Sequence, residues 1–382
     1  MEIICMKIDW ISSESRVFLN PSYGVEKQQF YLKILKKTEN LDSHFWLSTS
    51  GSTSQKWVGL SKKAILASAE SVNKHIEANF CDRWVTALPD FHVGGLGIWA
   101  RAFLSDSQVF DFKTIQNGKW DPKIFWSFLR KMKGTLTALV PTQIYDLVQL
   151  ALPAPNSLRA VIVGGGRLLP DLYKKAVELG WPLMPSYGLT ECCSQVATAT
   201  LGSWQFSTYP SLQILTHISV RERDGHLEYK SPSLLTCYAY FEQDQIYLHD
   251  PKVEGWFRCG DLGNLQGNIL NVKGRSDHLL KIGGESVDLS QLEAHLESIL
   301  LKNSSAGMAV LVAVPDERLG NILYLAVEQN KREILKPLID LYQQTVLPFE
   351  RIRNVIAVEN IPRSPLGKIL KIELIKLITL NE

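Results

Sequence analysis

Between residues 61 and 187 the chain alternates strand-like and helix-like segments, and this alternation limits the possible folds more than any other feature. Residues 135–140 form a continuous β-branched and apolar run, the pattern of a strand buried on both faces. Asp121-Pro122 opens a helical pattern with proline at the first helical position and apolar residues on one face. Such alternation predicts an α/β fold with a parallel sheet between helices, and ligands at the carboxyl ends of the strands.

The segments on either side have different patterns. Residues 1–43 predict a strand over 3–11 and a helix over 29–37. Short alternating segments with glycine turns over 204–276 predict an antiparallel sheet or a small β-barrel. Residues 277–382 predict a compact α+β unit. We therefore expect a large domain over 1–276, made of a short N-terminal part (1–43), a βα sheet (44–203) and a barrel (204–276), and then a C-terminal domain over 277–382.

The charge balance favours a small-molecule partner. The chain has 41 basic and 39 acidic residues and no long block of one sign, so we expect no nucleic acid or anionic membrane partner. Glu2, Lys7 and Asp9 interrupt the first apolar stretch, and no later run approaches the ~18 residues of a membrane span. The six cysteines contain no C-x-x-C pair, which favours a reducing cytoplasm. Homo-oligomerisation stays open.

A hydroxyl-rich loop follows an apolar run that starts at Trp46. Small donors around one glycine, closed by a lysine, are typical of loops that wrap a polyphosphate. An ordinary surface turn is the alternative. The loop is not a Walker A motif, because Gln55 precedes the lysine. The candidate phosphate ligands are Thr49, Ser50, Gly51, Ser52, Thr53 and Lys56.

Six stretches occur in one order along the chain. They are residues 49–56, Leu88-Pro89-Asp90-Phe91-His92-Val93-Gly94-Gly95-Leu96, Tyr187-Gly188-Leu189-Thr190-Glu191, Gly255-Trp256-Phe257-Arg258-Cys259-Gly260-Asp261, Gly274-Arg275-Ser276-Asp277 with Lys281-Ile282-Gly283-Gly284-Glu285, and Ile361-Pro362-Arg363-Ser364-Pro365-Leu366-Gly367-Lys368. Together they resemble the acyl-adenylate-forming superfamily, which contains the AMP-dependent acyl-CoA ligases, luciferases and peptide-synthetase adenylation domains. The resemblance covers residues 46–376. It implies the ligase fold with a mobile C-terminal domain, and an enzyme that uses ATP, Mg²⁺ and coenzyme A.

The resemblance also assigns the catalytic groups. The attack of a carboxylate on the α-phosphorus of ATP brings two anions together, so cations and oriented donors are needed. By resemblance, Lys368 bridges carboxylate and α-phosphate, Glu191 holds Mg²⁺, and Thr190 lies beside it on the phosphate. Each residue also has a purely structural interpretation: Lys368 as a solvated lysine at the start of a helix, and Glu191 as a glutamate favoured by a helix dipole.

Nucleotide and coenzyme contacts follow from the same resemblance. Asp261 matches the ribose ligand and Arg275 a second ribose or phosphate contact, although a turn aspartate is the simpler interpretation. Gly164, Gly165 and Gly166 should border the adenine, Tyr187 should supply a stacking face, and Gly188 is a further nucleotide-binding candidate. A Rossmann motif is excluded because Leu169 occupies the third glycine position. Asp277 matches the hinge. The coenzyme-binding candidates are Lys281, Gly283 and Gly284, in the segment 281–285 expected beside the pantetheine channel.

Residues 91–101 indicate which class of carboxylic acid the enzyme would use as its substrate. His92 and Gly95 resemble the acyl-pocket segment of aryl and fatty acid ligases, with His92 also a candidate catalytic residue and Tyr187 and Gly188 completing the pocket. Within the superfamily, the chain is most similar to the o-succinylbenzoate–CoA ligases of menaquinone biosynthesis, whose substrate has two carboxylates. Arg101, nine residues after His92, could neutralise the carboxylate that does not react. A helix-surface arginine is the alternative.

Two departures from the family pattern keep other functions open. Ser54 and Gln55 replace a glycine and a proline of the phosphate loop, one residue is missing there, and the N-terminus is shorter than in relatives. One alternative is a weakly active or inactive relative that binds an acyl adenylate as a sensor. The other is a broader aryl- or medium-chain acyl-CoA ligase.

Overall fold

A computed structural model describes residues 8–21, 24–48, 56–115, 119–206, 208–242, 245–303, 305, 307–364, 367 and 369–380. Contacts divide the chain into two compact units. The first unit comprises Met1–Leu168, Tyr173–Cys259 and Asn264–Asn271, and the second comprises Leu169–Leu172, Gly260–Gly263 and Val272–Glu382. The boundary at residue 276 stays a prediction.

The alternation predicted for the first half of the chain is present in the structure. In chain order the elements are β1 (Arg16–Phe18), α1 (Val25–Lys37), β2 (His44–Ser48), β3 (Lys56–Ser61), α2 (Lys62–His75), β4 (Arg83–Thr86), α3 (Val93–Ser105), β5 (Gln108–Asp111), α4 (Pro122–Lys131), β6 (Leu136–Leu139), α5 (Pro141–Gln149), β7 (Ala160–Val163), α6 (Pro170–Glu178), β8 (Leu183–Leu189) and β9 (Ser194–Thr198).

Local chemistry explains several of these boundaries. The Asp121 carboxylate accepts a hydrogen bond from the Ile124 amide at 2.9 Å, so it caps α4 as predicted. The strand predicted over 3–11 is not formed by residues 8–11. There the Asp9 carboxylate accepts hydrogen bonds from the Ile11 and Ser12 amides, and such local bonds replace those of a strand ladder.

A parallel sheet carries the segments of interest, as the sequence predicts. Its strands lie in the order β5-β4-β6-β7-β8, and each neighbouring pair is parallel. The carboxyl end of β4 leads towards His92, that of β7 into Gly164, and that of β8 into Thr190. The two central strands β6 and β7 are buried along their whole length, which explains their nearly continuous apolar sequences.

The remaining elements of the described chain are a series of strands followed by three helices that alternate with three further strands. They are β10 (Leu212–Ile214), β11 (Ser219–Arg223), β12 (His226–Lys230), β13 (Cys237–Glu242), β14 (Gln245–His249), β15 (Lys252–Val253), β16 (Trp256–Gln266), β17 (Ile269–Arg275), β18 (Leu279–Ile282), β19 (Glu285–Asp288), α7 (Leu289–Lys302), β20 (Ala309–Asp316), β21 (Gly320–Glu328), α8 (Arg332–Thr345), β22 (Ile352–Val358) and α9 (Lys371–Leu380).

The strands expected to form a small barrel are instead divided between two sheets of the described chain. β13 and β14 complete a five-stranded sheet in the order β1-β2-β3-β13-β14. β10, β11, β12, β16 and β17 extend the large sheet beyond β9. Short alternating segments predict that strands form, but the choice of partner depends on residues distant in sequence, such as Trp57 opposite Ala239.

In the second unit, helices pack on a mixed sheet, in agreement with the predicted α+β pattern. β20 pairs antiparallel with β21, which pairs parallel with β22. Leu296 of α7 and Leu335 of α8 belong to one apolar cluster with Leu325, while Leu374 of α9 belongs to a second cluster with Val312. Within the described ranges, the chain contains no helix with the length and apolarity that a membrane crossing requires.

Candidate functional site

Three side chains of the first unit form a charged cluster between β3, β13 and the turn after β8. The Lys56 ammonium lies 3.6 Å from Oε1 of Glu191 and 3.9 Å from the ring centre of Tyr238. The Tyr238 hydroxyl donates to the same Glu191 oxygen at 2.9 Å. Burial, and then the Glu191 charge, raise the pKa of Tyr238, so it remains a donor. The structure thus brings together two residues that the sequence assigned to the phosphates and the metal.

The Glu191 carboxylate suits a magnesium ion that arrives with a nucleotide. Among the described residues, no group of three or more acidic, histidine or cysteine side chains could hold a metal ion. Magnesium commonly takes one or two protein carboxylates and fills its other positions with phosphate oxygens and water. A single half-buried carboxylate beside a lysine fits this donor set, with Thr190 next to it in the same turn.

The glycine loop after β7 lies against β8. A side-chain carbon at Gly164 would lie 2.8 Å from the Ser186 hydroxyl, and Gly165 has a positive φ of 78°. Next along β8, the Tyr187 hydroxyl shares a 2.8 Å hydrogen bond with the Tyr229 hydroxyl. The backbone of Gly166 continues the loop. The adenine candidates therefore lie close together, Gly164 directly after β7 and Tyr187 in the neighbouring strand β8.

Gly188 has a packing reason to be glycine. A side-chain carbon there would lie 1.7 Å from the Ser194 carbonyl oxygen, because β8 and β9 approach closely where their register shifts. Gly95, in the first turn of α3, is equally constrained, since the added carbon would lie 2.2 Å from the Pro89 carbonyl oxygen. His92 is the N-cap residue of α3, and its ring lies 4.7 Å from that of Phe91.

Arg101 of α3 is the most unusual charged group of the first unit. Its side chain is only 2% exposed, and its Nε atom has no hydrogen-bond partner in the part of the chain that the structure describes. Burial alone lowers the pKa of Arg101 to about 10, with no contribution from a carboxylate. Its guanidinium lies 5.8 Å from the Trp84 ring centre, and its backbone oxygen accepts a hydrogen bond from the side-chain amide of Asn73. The helix-surface alternative is therefore wrong.

The ribose candidates meet in the second unit. Nη1 of Arg275, the last residue of β17, lies 3.5 Å from Oδ1 of Asp261 in β16. Asp261 is buried, whereas the arginine side chain is half-exposed. A side-chain carbon at Gly260 would lie 3.2 Å from Nη2 of Arg275, so the glycine leaves room for the guanidinium.

The coenzyme candidates form a tight hairpin. β18 and β19 are joined by Gly283 and Gly284, whose positive φ values of 60° and 89° match a two-residue hairpin turn. The Lys281 ammonium donates to the Ser286 hydroxyl at 2.7 Å across the hairpin. The hinge candidate Asp277 lies in the short 3₁₀ turn between β17 and β18.

Several predicted site residues lie outside the described residues. They are Thr49, Ser50, Gly51, Ser52 and Thr53 of the phosphate loop, and Lys368. Their assignments stay predictions from the sequence.

The structure adds residues that the sequence did not single out. Tyr238 contacts both Lys56 and Glu191, and Tyr229 fixes the Tyr187 hydroxyl. Trp84 faces the Arg101 guanidinium. Tyr238, Tyr229 and Trp84 are buried aromatic residues in predicted strands. The sequence around each of them does not indicate which residue it contacts.

The chain matches one family model and a set of curated relatives. A model described as AMP-binding enzyme matches residues 11–229, more than half of the chain. A 2-succinylbenzoate–CoA ligase from Enterococcus faecalis is 26% identical over 338 residues, covering 85% of this chain and 67% of the relative. The ligase of the same description from Bacillus pumilus is 27% identical over 252 residues, covering 63% of this chain and 49% of the relative. The chain thus spans 49% to 67% of the length of these two relatives.

A solved structure shares the fold. The o-succinylbenzoate–CoA synthetase of Bacillus subtilis, in complex with its acyl-adenylate intermediate, superposes with a TM-score of 0.71. The sequence identity is 24%, over 86% of this chain and 68% of that chain.

Proposed function

The chain belongs to the AMP-binding enzyme family, and on this premise we propose that it is an ATP-dependent acid–CoA ligase that acts on o-succinylbenzoate in menaquinone biosynthesis. The observation that carries the substrate assignment is the buried Arg101 guanidinium, which has no acidic partner within the described ranges. An unpaired buried charge is costly, and a ligand carboxylate would offset that cost through charge-assisted hydrogen bonds. This acid has one carboxylate to activate and a second that stays charged.

In the first step, an oxygen of the reacting carboxylate bonds to the α-phosphorus of ATP, and the bond to pyrophosphate breaks. Lys368 supplies the cation between the two reacting anions, and Lys56 adds positive charge next to Glu191. Asp261 accepts hydrogen bonds from the ribose hydroxyls. Mg²⁺, when bound with ATP at Glu191, offsets charge on the leaving pyrophosphate.

In the second step, the sulfur of coenzyme A bonds to the acyl carbon of the adenylate, and the bond from that carbon to the AMP oxygen breaks. The hairpin that contains Lys281, Gly283 and Gly284 contacts the coenzyme. We further propose that a large domain over 1–276 is followed by a C-terminal domain over 277–382, which turns about Asp277. This rotation lets Lys368 serve the first step and the hairpin the second.

We also propose that the protein works in the cytoplasm and that its partners are small molecules alone. Five cysteines, Cys81, Cys192, Cys193, Cys237 and Cys259, are free thiols in the described part of the chain, as expected in a reducing compartment. The relatives from two bacterial genera support a biosynthetic ligase.

The test is product analysis by mass spectrometry with ATP, Mg²⁺, coenzyme A and a panel of acids. We expect AMP and a thioester with o-succinylbenzoate, and much slower turnover of benzoate and medium-chain acids. Turnover of monocarboxylates alone would favour the broader ligase. If no acid releases AMP while an acyl-adenylate analogue still binds, the chain is an adenylate-binding relative without ligase activity.

A further inference from the structure

Two short segments, residues 362–364 and 369–370, lie on either side of Lys368 and pair with each other; we call them the two arms. Arg363 and Ile369 form an antiparallel bridge, and the Leu370 amide donates to the Pro362 carbonyl oxygen at 2.9 Å. The Gly367 amide donates to the Ser364 carbonyl oxygen at 2.7 Å. These bonds bring the residue directly before Lys368 back towards the arm that contains Arg363.

The Arg363 guanidinium links these arms to the turn that precedes β20. Nη1 donates to the Gly367 carbonyl oxygen at 3.1 Å, and Nη2 donates to the Gly307 carbonyl oxygen at 2.7 Å. Gly307 has a φ of 74°, and a side-chain carbon there would lie 3.0 Å from Nη2. The Gly307 turn leads into β20, whose Val310 and Val312 are buried in an apolar cluster with α9. One planar guanidinium thus connects the peptide before Lys368 to the turn that leads into a buried strand.

We propose that Arg363 is a positioning residue that holds the peptide at Gly367, directly before Lys368, in place for adenylate formation, an inference that rests on the proposed ligase function. The first step depends mainly on the placement of charge around the transferring group, so small displacements of a catalytic cation are costly. A guanidinium donates in two directions from one rigid plane, whereas an ammonium is a point donor on a flexible stem. Arg363 is exposed, so its removal leaves the apolar clusters of the second unit intact.

The test measures the two half-reactions separately in the variants Arg363→Ala and Arg363→Lys. Isotope exchange between pyrophosphate and ATP measures adenylate formation, and a supplied acyl adenylate with coenzyme A measures thioester formation. For Arg363→Ala we expect a fall of about tenfold in the first and less than about twofold in the second. Arg363→Lys should retain part of the adenylate-forming activity that Arg363→Ala loses. The control Arg353→Ala, an exposed arginine of β22, should change neither.

Two results would overturn the inference. An equal fall in both half-reactions together with a lower melting temperature would make Arg363 a stabilising residue only, and unchanged adenylate formation would remove its role.

Hydrogen exchange separates this inference from the ligase assignment, because it needs no substrate. In Arg363→Ala the Gly367 and Leu370 amides should exchange faster, while amides of β21 keep their protection. Unchanged exchange at Gly367 would refute the positioning role even in an active enzyme. Absence of turnover in the unmodified chain would instead refute the ligase function.

Discussion

At the scale of single residues, Arg101 combines burial with a retained charge. Burial lowers the pKa of Arg101 to about 10, which is still well above neutral pH, so the side chain stays protonated where the reaction would occur. A protonated guanidinium in an apolar setting binds a carboxylate more strongly than an exposed one does. This residue therefore has the properties required to select a dicarboxylic acid.

Replacing Arg101 by leucine should separate dicarboxylic from monocarboxylic substrates. We expect the KM for o-succinylbenzoate to rise by a factor that corresponds to about 1.5 to 3 kcal/mol, the contribution of a hydrogen bond to a charged group. The KM for benzoate should change little. Steady-state kinetics with both acids provide the measurement, and Arg130→Leu, an exposed arginine of α4, is the control. A similar loss with both acids would assign Arg101 a structural role.

We expect the stability of the first unit to depend on pH because of His217. Both of its ring nitrogens are buried and lack hydrogen-bond partners among the described residues, and burial lowers the pKa of His217 from 6.5 to about 4. Between these two values the unfolded chain binds more protons than the folded chain. The free energy of unfolding should therefore have its full value above pH 6.5 and should decrease by about 2 to 3 kcal/mol as the pH falls towards 4.

Urea unfolding followed by tryptophan fluorescence tests this dependence, because all 10 tryptophans lie in the first unit, as does His217. His217→Gln should reduce the loss of stability between about pH 7 and about pH 4.5, whereas the exposed control His249→Gln should leave it unchanged. Identical pH profiles for His217→Gln and the unmodified chain would contradict the assignment.

At the scale of elements, α3 contains three glycines, although each glycine costs a helix roughly 1 kcal/mol relative to alanine. Their surroundings differ. A side-chain carbon at Gly97 would lie 3.1 Å from Nη2 of Arg101, so this glycine leaves space for the guanidinium. At Gly94 the nearest atom is a Leu88 methyl carbon at 3.5 Å, an ordinary contact.

This difference provides a matched pair of substitutions in one helix. Gly97→Ala should displace the Arg101 guanidinium and raise the KM for o-succinylbenzoate severalfold, with a smaller effect on benzoate. Gly94→Ala should leave both KM values unchanged and add up to about 1 kcal/mol of stability through its better helix propensity. Kinetics and thermal unfolding of both variants provide the comparison. Equal kinetics for the two variants would show that Gly97 does not position Arg101.

At the scale of the whole molecule, the proposed reaction assigns different residues to its two steps. Lys368→Ala should nearly abolish adenylate formation, because the cation between the reacting anions is lost. Thioester formation from a supplied acyl adenylate should remain largely intact. Separate assays of the half-reactions provide the measurement, with Lys376→Ala of α9 as a lysine control. Equal losses in both steps would refute the assigned role of Lys368.

The α/β alternation, the parallel core and the family could be predicted from the sequence, because periodicity, caps such as Asp121 and motifs such as Tyr187-Gly188-Leu189-Thr190-Glu191 are local properties. The folded structure was needed to show that β13 pairs with β3 and that Tyr238 donates to Glu191, which is 47 residues away along the chain. It was also needed to show that Arg101 is buried without a carboxylate partner among the described residues. Strand pairing and charge burial depend on distant neighbours, and a local pattern contains no information about them.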